Sequence, residues 1–186
     1  MKKFYMTVLA IGIVAIANAQ TERTFKPFKV DIALGYALPA GSGSKGGVLF
    51  AVEPKYAFND NVTAGLRMEG AVTAQGTVVN GEMNNGDVKV SSSYLLTADY
   101  FINTNRLRPF VGIGAGIFTN ASANFDAQSA GDVKSGSKFG FAPRAGIEYG
   151  HFRAAVEYNV AGKTATVNHN YLGLKLGFFI GGGRYE

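Results

Sequence analysis

The chain has 186 residues, 18 basic against 13 acidic, with no cysteine and no tryptophan. That length holds one domain. The lack of cysteine excludes disulfides, thiolate metal sites, a cysteine nucleophile and a lipid-modified cysteine. With 25 Gly, 14 Phe and 9 Tyr, the composition leans to an all-β protein, because glycine weakens helices and aromatics favour strands.

Lys2 and Lys3 precede an apolar run from Phe4 to Ala17, and the run closes on Ala17-Asn18-Ala19. A basic start, an apolar stretch too short to span a bilayer and an Ala-x-Ala site make a secretory signal peptide. It is expected to occupy residues 1–19, with cleavage after Ala19. The mature chain then carries 16 basic against 13 acidic residues, a formal charge of +3. So small a charge on an exported chain gives no ground for a nucleic-acid partner.

After a lead-in at 20–27, one pattern repeats: about ten residues of strict alternation, then a turn or loop. The first strand, Phe28 to Leu38, places Phe28, Val30, Ile32, Leu34, Tyr36 and Leu38 on one face and Lys29, Asp31, Ala33, Gly35 and Ala37 on the other. Successive strand side chains point to opposite faces, so one face is wholly apolar. The second strand runs Val48 to Phe58, the third Val62 to about Ala74, the fourth Val88 to Ile102 and the fifth Pro109 to Thr119. The sixth spans Lys138 to Tyr149, the seventh Phe152 to Val160, and the eighth about Tyr171 to Ile180.

The charges decide what kind of sheet this is. Nine basic residues (Lys29, Lys55, Arg67, Lys89, Arg108, Lys138, Arg144, Arg153, Lys175) and six acidic ones (Asp31, Glu53, Glu69, Asp99, Glu148, Glu157) lie in or beside the strands. All fifteen fall on the non-apolar face. A soluble barrel would put charge outside; here the charges need a lumen and the apolar faces need lipid. The expectation is an all-β, eight-stranded, antiparallel, up-and-down transmembrane β-barrel over residues 28–180, with a tail at 181–186. Outer-membrane lipid is its expected surrounding.

Connections after the even strands are short: 59–61, 103–107 and 150–151. Those after the odd strands are longer and rich in Gly, Ser, Asn and Asp: 39–47, 75–87, 120–137 and 161–170. That asymmetry matches periplasmic turns and extracellular loops, with both termini in the periplasm. Outward aromatics gather at the turn side (Phe28, Tyr56, Phe58, Tyr100, Tyr149, Phe152, Phe178), as an interfacial girdle should.

Eight strands leave room only for side chains inside. Inward glycines (Gly112, Gly114, Gly116, Gly140, Gly146, Gly173, Gly177) make space for Arg and Phe opposite. The short turns fix register: pairing Phe58 with Val62 sets Glu53 opposite Arg67. A two-residue loop at Gly150-His151 sets Glu148 opposite Arg153 and Arg144 opposite Glu157. These three pairs are expected to be structural, forming a salt-bridged plug, with a gate or selectivity element as the competing role.

The stretch Arg108-Pro-Phe-Val-Gly-Ile-Gly-Ala-Gly116 resembles the Arg-Pro-aromatic-Val-Gly-x-Gly-x-Gly strand of OmpA-like β-barrel domains. Tyr171-Leu-Gly-Leu-Lys-Leu-Gly-Phe-Phe-Ile180 is similar to the last strand of that family of small eight-stranded outer-membrane barrels, typified by OmpA and OmpX. The resemblance covers essentially the whole mature chain. It implies insertion by the barrel-assembly machinery, which reads a signal in the last strand. Two departures stand out: Gly181 to Glu186 follow that strand, where the family ends on an aromatic, and no peptidoglycan-binding domain of the OmpA type follows.

Chemistry-bearing motifs are sparse. A lipid deacylase needs a serine nucleophile and a histidine base near the lipid face. The two histidines are His151, in a turn, and His169, beside a loop; His169 with Ser129 or Asp126 is the one constellation geometry permits. The spacing of Asp126 and Asp132 is not that of an EF-hand. No catalytic residue, metal or cofactor is expected. Three roles remain, in descending order: a structural or surface-interaction protein displaying four loops, a narrow pore or transport route for ions or small apolar molecules, and a lipid A-modifying enzyme.

Overall fold

The computed structural model describes residues 23–40, 44–79, 82–123, 134–164 and 167–185. The expected signal peptide at 1–19 lies outside the described residues. Ten strands follow in order: β1 (Phe28–Pro39), β2 (Ser44–Ala57), β3 (Val62–Val79), β4 (Glu82–Phe101), β5 (Leu107–Ala123), β6 (Lys134–Tyr149), β7 (Phe152–Asn159), β8 (Lys163–Thr164), β9 (Val167–Asn168) and β10 (Tyr171–Gly181). Eight of them close into a barrel in the order β1-β10-β7-β6-β5-β4-β3-β2, every neighbour antiparallel. The two-residue strands β8 and β9 pair only with each other, in the segment between β7 and β10.

The turns at one end are set by local side-chain chemistry. Between β2 and β3, Asn59 Oδ1 accepts hydrogen bonds from the main-chain N–H of Asn61 (2.9 Å) and Val62 (2.7 Å); an asparagine that mimics a backbone turn favours this tight reversal. Asn103 does the same for Asn105 between β4 and β5. Between β6 and β7, Gly150 adopts φ of 60°, a conformation that L side chains rarely take. This is the turn end; the opposite end is the loop end.

At the loop end the strands run further than alternation suggests. β3 and β4 continue as a hairpin to Val79 opposite Glu82, past an irregularity between Gln75 and Thr77, through most of the expected 75–87 loop. β2 begins at Ser44, four residues ahead of Val48, β5 extends to Ala123 and β6 starts at Lys134. The physical reason is that a ladder can continue past the alternating wall on backbone pairing. It needs paired backbone and β-favouring residues, as in Thr77-Val-Val79, but no alternating apolar pattern.

Alternation does govern the barrel wall. Leu34, Leu96 and Leu176 are 66–72% exposed, whereas Arg67, Glu148 and Glu157 are 1% exposed. Apolar residues thus cover the outside and charges fill the inside. The interior leaves little slack at Gly146, where an added Cβ would stand 2.2 Å from the Ala154 carbonyl oxygen and 2.7 Å from the Phe110 ring. Gly146→Val is therefore expected to block barrel closure, read as loss of the fast-migrating unheated band on a denaturing gel; a retained band would mean that the wall can spread there.

Candidate functional site

The interior is layered. Nearest the turn end, Phe25, Phe101, Phe110 and Phe179 are buried and hold cations against their rings. The Arg108 guanidinium lies 3.9 Å from the ring centres of both Phe25 and Phe101, and Arg153 lies 3.7 Å from that of Phe110. Lys29 Nζ sits 4.4 Å over Phe179 and also pairs with Glu148. Cations held against ring faces in a desolvated setting gain from the aromatic quadrupole.

The middle layer centres on Asp99, whose carboxylate meets Arg144 at 2.7 Å, Arg153 at 2.8 Å and Lys55 at 2.9 Å. Lys55 also reaches Asp31 at 2.7 Å, and Arg144 reaches Glu53 at 2.7 and 3.0 Å. Next toward the loop end, Arg67 pairs with Glu157 and donates to Asn159 Oδ1 at 3.0 Å. Lys175 pairs with Glu69 and, at 2.8 Å, with Glu157, while the Tyr171 hydroxyl donates to Glu69. Beyond these charges come two apolar clusters, Ala37, Leu49, Ala71 and Tyr171, and Leu95, Phe118, Ala142 and Ala161.

Six cations (Lys29, Lys55, Arg67, Arg144, Arg153, Lys175) thus face six carboxylates (Asp31, Glu53, Glu69, Asp99, Glu148, Glu157), all buried. A buried charge without a partner is strongly unfavourable, and this set is balanced. Arg108, the seventh buried cation, donates to the Asp60 carbonyl oxygen at 2.8 Å. Among the described residues, one cavity of about 30 Å³ lies between Asp31, Glu53, Arg67 and Lys175, room on the order of one or two waters.

Each of the three expected pairs can now be placed. Glu148 stands opposite Arg153 and bonds it at 2.6 Å. Arg144 stands opposite Glu157, but their side chains approach only to 3.8 Å. The register also sets Glu53 across from Arg67, between the Val52–Met68 and Lys55–Gly65 pairs. Their charges go elsewhere, Glu53 to Arg144 and Arg67 to Glu157, each across the full width of the barrel. Long side chains in a narrow lumen reach the far wall as readily as the neighbouring strand. Lys138, expected inside, is exposed near the loop end, and the Lys89 side chain lies outside the described ones.

The sequence reading overlooked the apolar end layers, although the same alternation points Leu49, Phe110, Phe118 and Phe179 inward. Large apolar residues on the charged face, near strand ends, were the available signal. Of the candidate enzyme residues, His151 lies in the β6–β7 turn, its Nδ1 2.9 Å from the Phe179 carbonyl oxygen. His169 follows β9, and its main-chain N–H donates to Gly162. Ser129 and Asp126 lie outside the described residues, as does Asp132.

Residues 6–178 match the outer membrane protein beta-barrel domain family. The chain belongs to that family. The outer-membrane barrel is similar in fold to Neisserial surface protein A (NspA), at 18% identity and a TM-score of 0.61, over 83% of this chain and 96% of that one. It is likewise similar to OprG of Pseudomonas aeruginosa, at 16% identity and a TM-score of 0.52, over 84% and 97% of the two chains. No curated protein matches its sequence. The barrel is an integral outer-membrane protein, its apolar wall in contact with lipid.

Proposed function

We propose that this outer-membrane barrel is a structural or surface-interaction protein: it keeps its interior sealed and displays the loop end to the outside. The observation that carries this is the buried cluster in which six cations face six carboxylates, with apolar layers toward both ends. A conducting pore needs a continuous aqueous path, whereas the cavity described among these charges is about 30 Å³. The turn asymmetry supports a periplasmic turn end, with both termini on that side. Residues 1–19 are read as the cleaved signal peptide, and the barrel-assembly machinery as the biogenesis partner. Ligand recognition then falls to the loops, which a rigid wall holds in place. The chain supplies no catalytic constellation among its described residues, so an enzymatic role is not proposed.

Planar bilayers test the sealed interior. The folded protein is expected to give no single-channel steps; reproducible steps would replace this reading with that of a narrow pore.

A further inference from the structure

The described segments that flank the barrel in sequence are joined to each other. Phe25 pairs with Arg184 in an antiparallel bridge, flanked by main-chain hydrogen bonds from Lys26 to Gly183 and from Tyr185 to Thr24, both 2.9 Å. The β1–β10 ladder pairs Lys29 with Gly181, so the register moves by one residue between ladder and bridge. Gly181 and Gly182, at φ of 78° and 65°, turn the tail there. Gly182 lies against Lys29, where an added Cβ would stand 2.7 Å from the lysine side chain. Within the described residues, 24–26 of the lead-in are paired with 183–185 of the tail.

Three anchors tie this pair of segments to the barrel. The Asp60 carboxylate, in the β2–β3 turn, accepts from the main-chain N–H of Thr24 (2.9 Å) and Phe25 (3.2 Å). Arg23 donates to the carbonyl oxygens of Ala57 and Phe58. Phe25 itself is buried, its ring against the Arg108 guanidinium, which Phe101 backs on its other side. A cavity of about 10 Å³ lies beside it, between Phe25, Thr63, Arg108 and Gly182.

We propose that the paired termini are a strap across the turn-end mouth, with Phe25 as its plug, and that this strap keeps water and small ions from the interior charges. The inference rests on the sealed-interior reading and adds the element that closes one end. The strap adds few hydrogen bonds to a wall held by continuous ladders, so it opens without unfolding the barrel.

The chain has no cysteine, so Thr63→Cys gives a single reporter behind the plug; Thr63 is buried and its hydroxyl has no hydrogen-bond partner. The rate at which a charged, water-soluble thiol reagent labels the introduced thiol is measured on the folded protein in lipid vesicles, with gel mobility confirming an intact barrel. Labelling is expected to be slow, and to rise by about tenfold or more when Phe25→Ala or Asp60→Ala is added. Asp60→Ala keeps the main-chain carbonyl that Arg108 donates to and every side chain of the six-carboxylate cluster, and serves where Phe25→Ala does not fold. Equal rates with and without these changes would overturn the strap. So would labelling of Thr63→Cys alone as fast as in the unfolded chain. Single-channel steps from the unaltered protein would instead refute the sealed interior.

Discussion

Asp99→Ala is expected to destabilise the barrel by about 3–5 kcal/mol, the usual cost of removing one partner from a buried ionic group. Asp99 meets Lys55, Arg144 and Arg153 within 2.9 Å, and its side chain has no solvent exposure. Removing it leaves three cations sharing the remaining carboxylates in a space that water cannot enter freely. Asp99→Asn, which keeps the volume and an acceptor oxygen, is expected to cost less. Urea unfolding in phospholipid vesicles, followed by gel mobility, gives both values. An unchanged midpoint for Asp99→Ala would show that Asp31 and Glu53 suffice to neutralise the cluster, and Asp99 would lose its central place.

Leu96→Arg carries the second large effect, about 2–4 kcal/mol of destabilisation in a bilayer. Leu96 is 72% exposed and sits midway along the outward row of β4, between Tyr100 and Val90. On a soluble protein an exposed leucine accepts arginine at little cost; in the hydrocarbon core the charge has no solvent. Leu107→Arg, at the turn-end edge of β5 and also exposed, is the control and is expected to cost about 0–1 kcal/mol. Equal costs at both positions would mean that the β4 face is not immersed in the lipid core.

Both effects follow from an inversion legible in the sequence. Alternation from Phe28 to Leu38 already separated an apolar row from one holding Lys29 and Asp31, and the fold puts them outside and inside respectively. Register was legible where a short turn fixed it, as at Glu148 and Arg153. Ion-pair identity across the barrel was not. Glu53 faces Arg67 along the sheet yet bonds Arg144 on the far wall, because curvature, which no local pattern encodes, brings β2 and β6 face to face. The extended β3–β4 hairpin was hidden for a different reason: its ladder continues through 75–79 and 82–87, where apolar and polar residues do not alternate. The joined termini left no sequence signal beyond the paired glycines at 181 and 182.

The bonds that cross the barrel have a consequence for how it forms. Glu53 with Arg144 and Arg67 with Glu157 join strands on opposite sides of the ring. In a sheet still open, these groups are several strands apart and cannot meet. They must stay hydrated until the first and last strands join, and a half-rolled sheet in lipid would present bare charge to hydrocarbon. Neighbouring-strand pairs such as Arg153 with Glu148 can form earlier, but ring closure completes the neutralisation, which makes partly assembled forms costly.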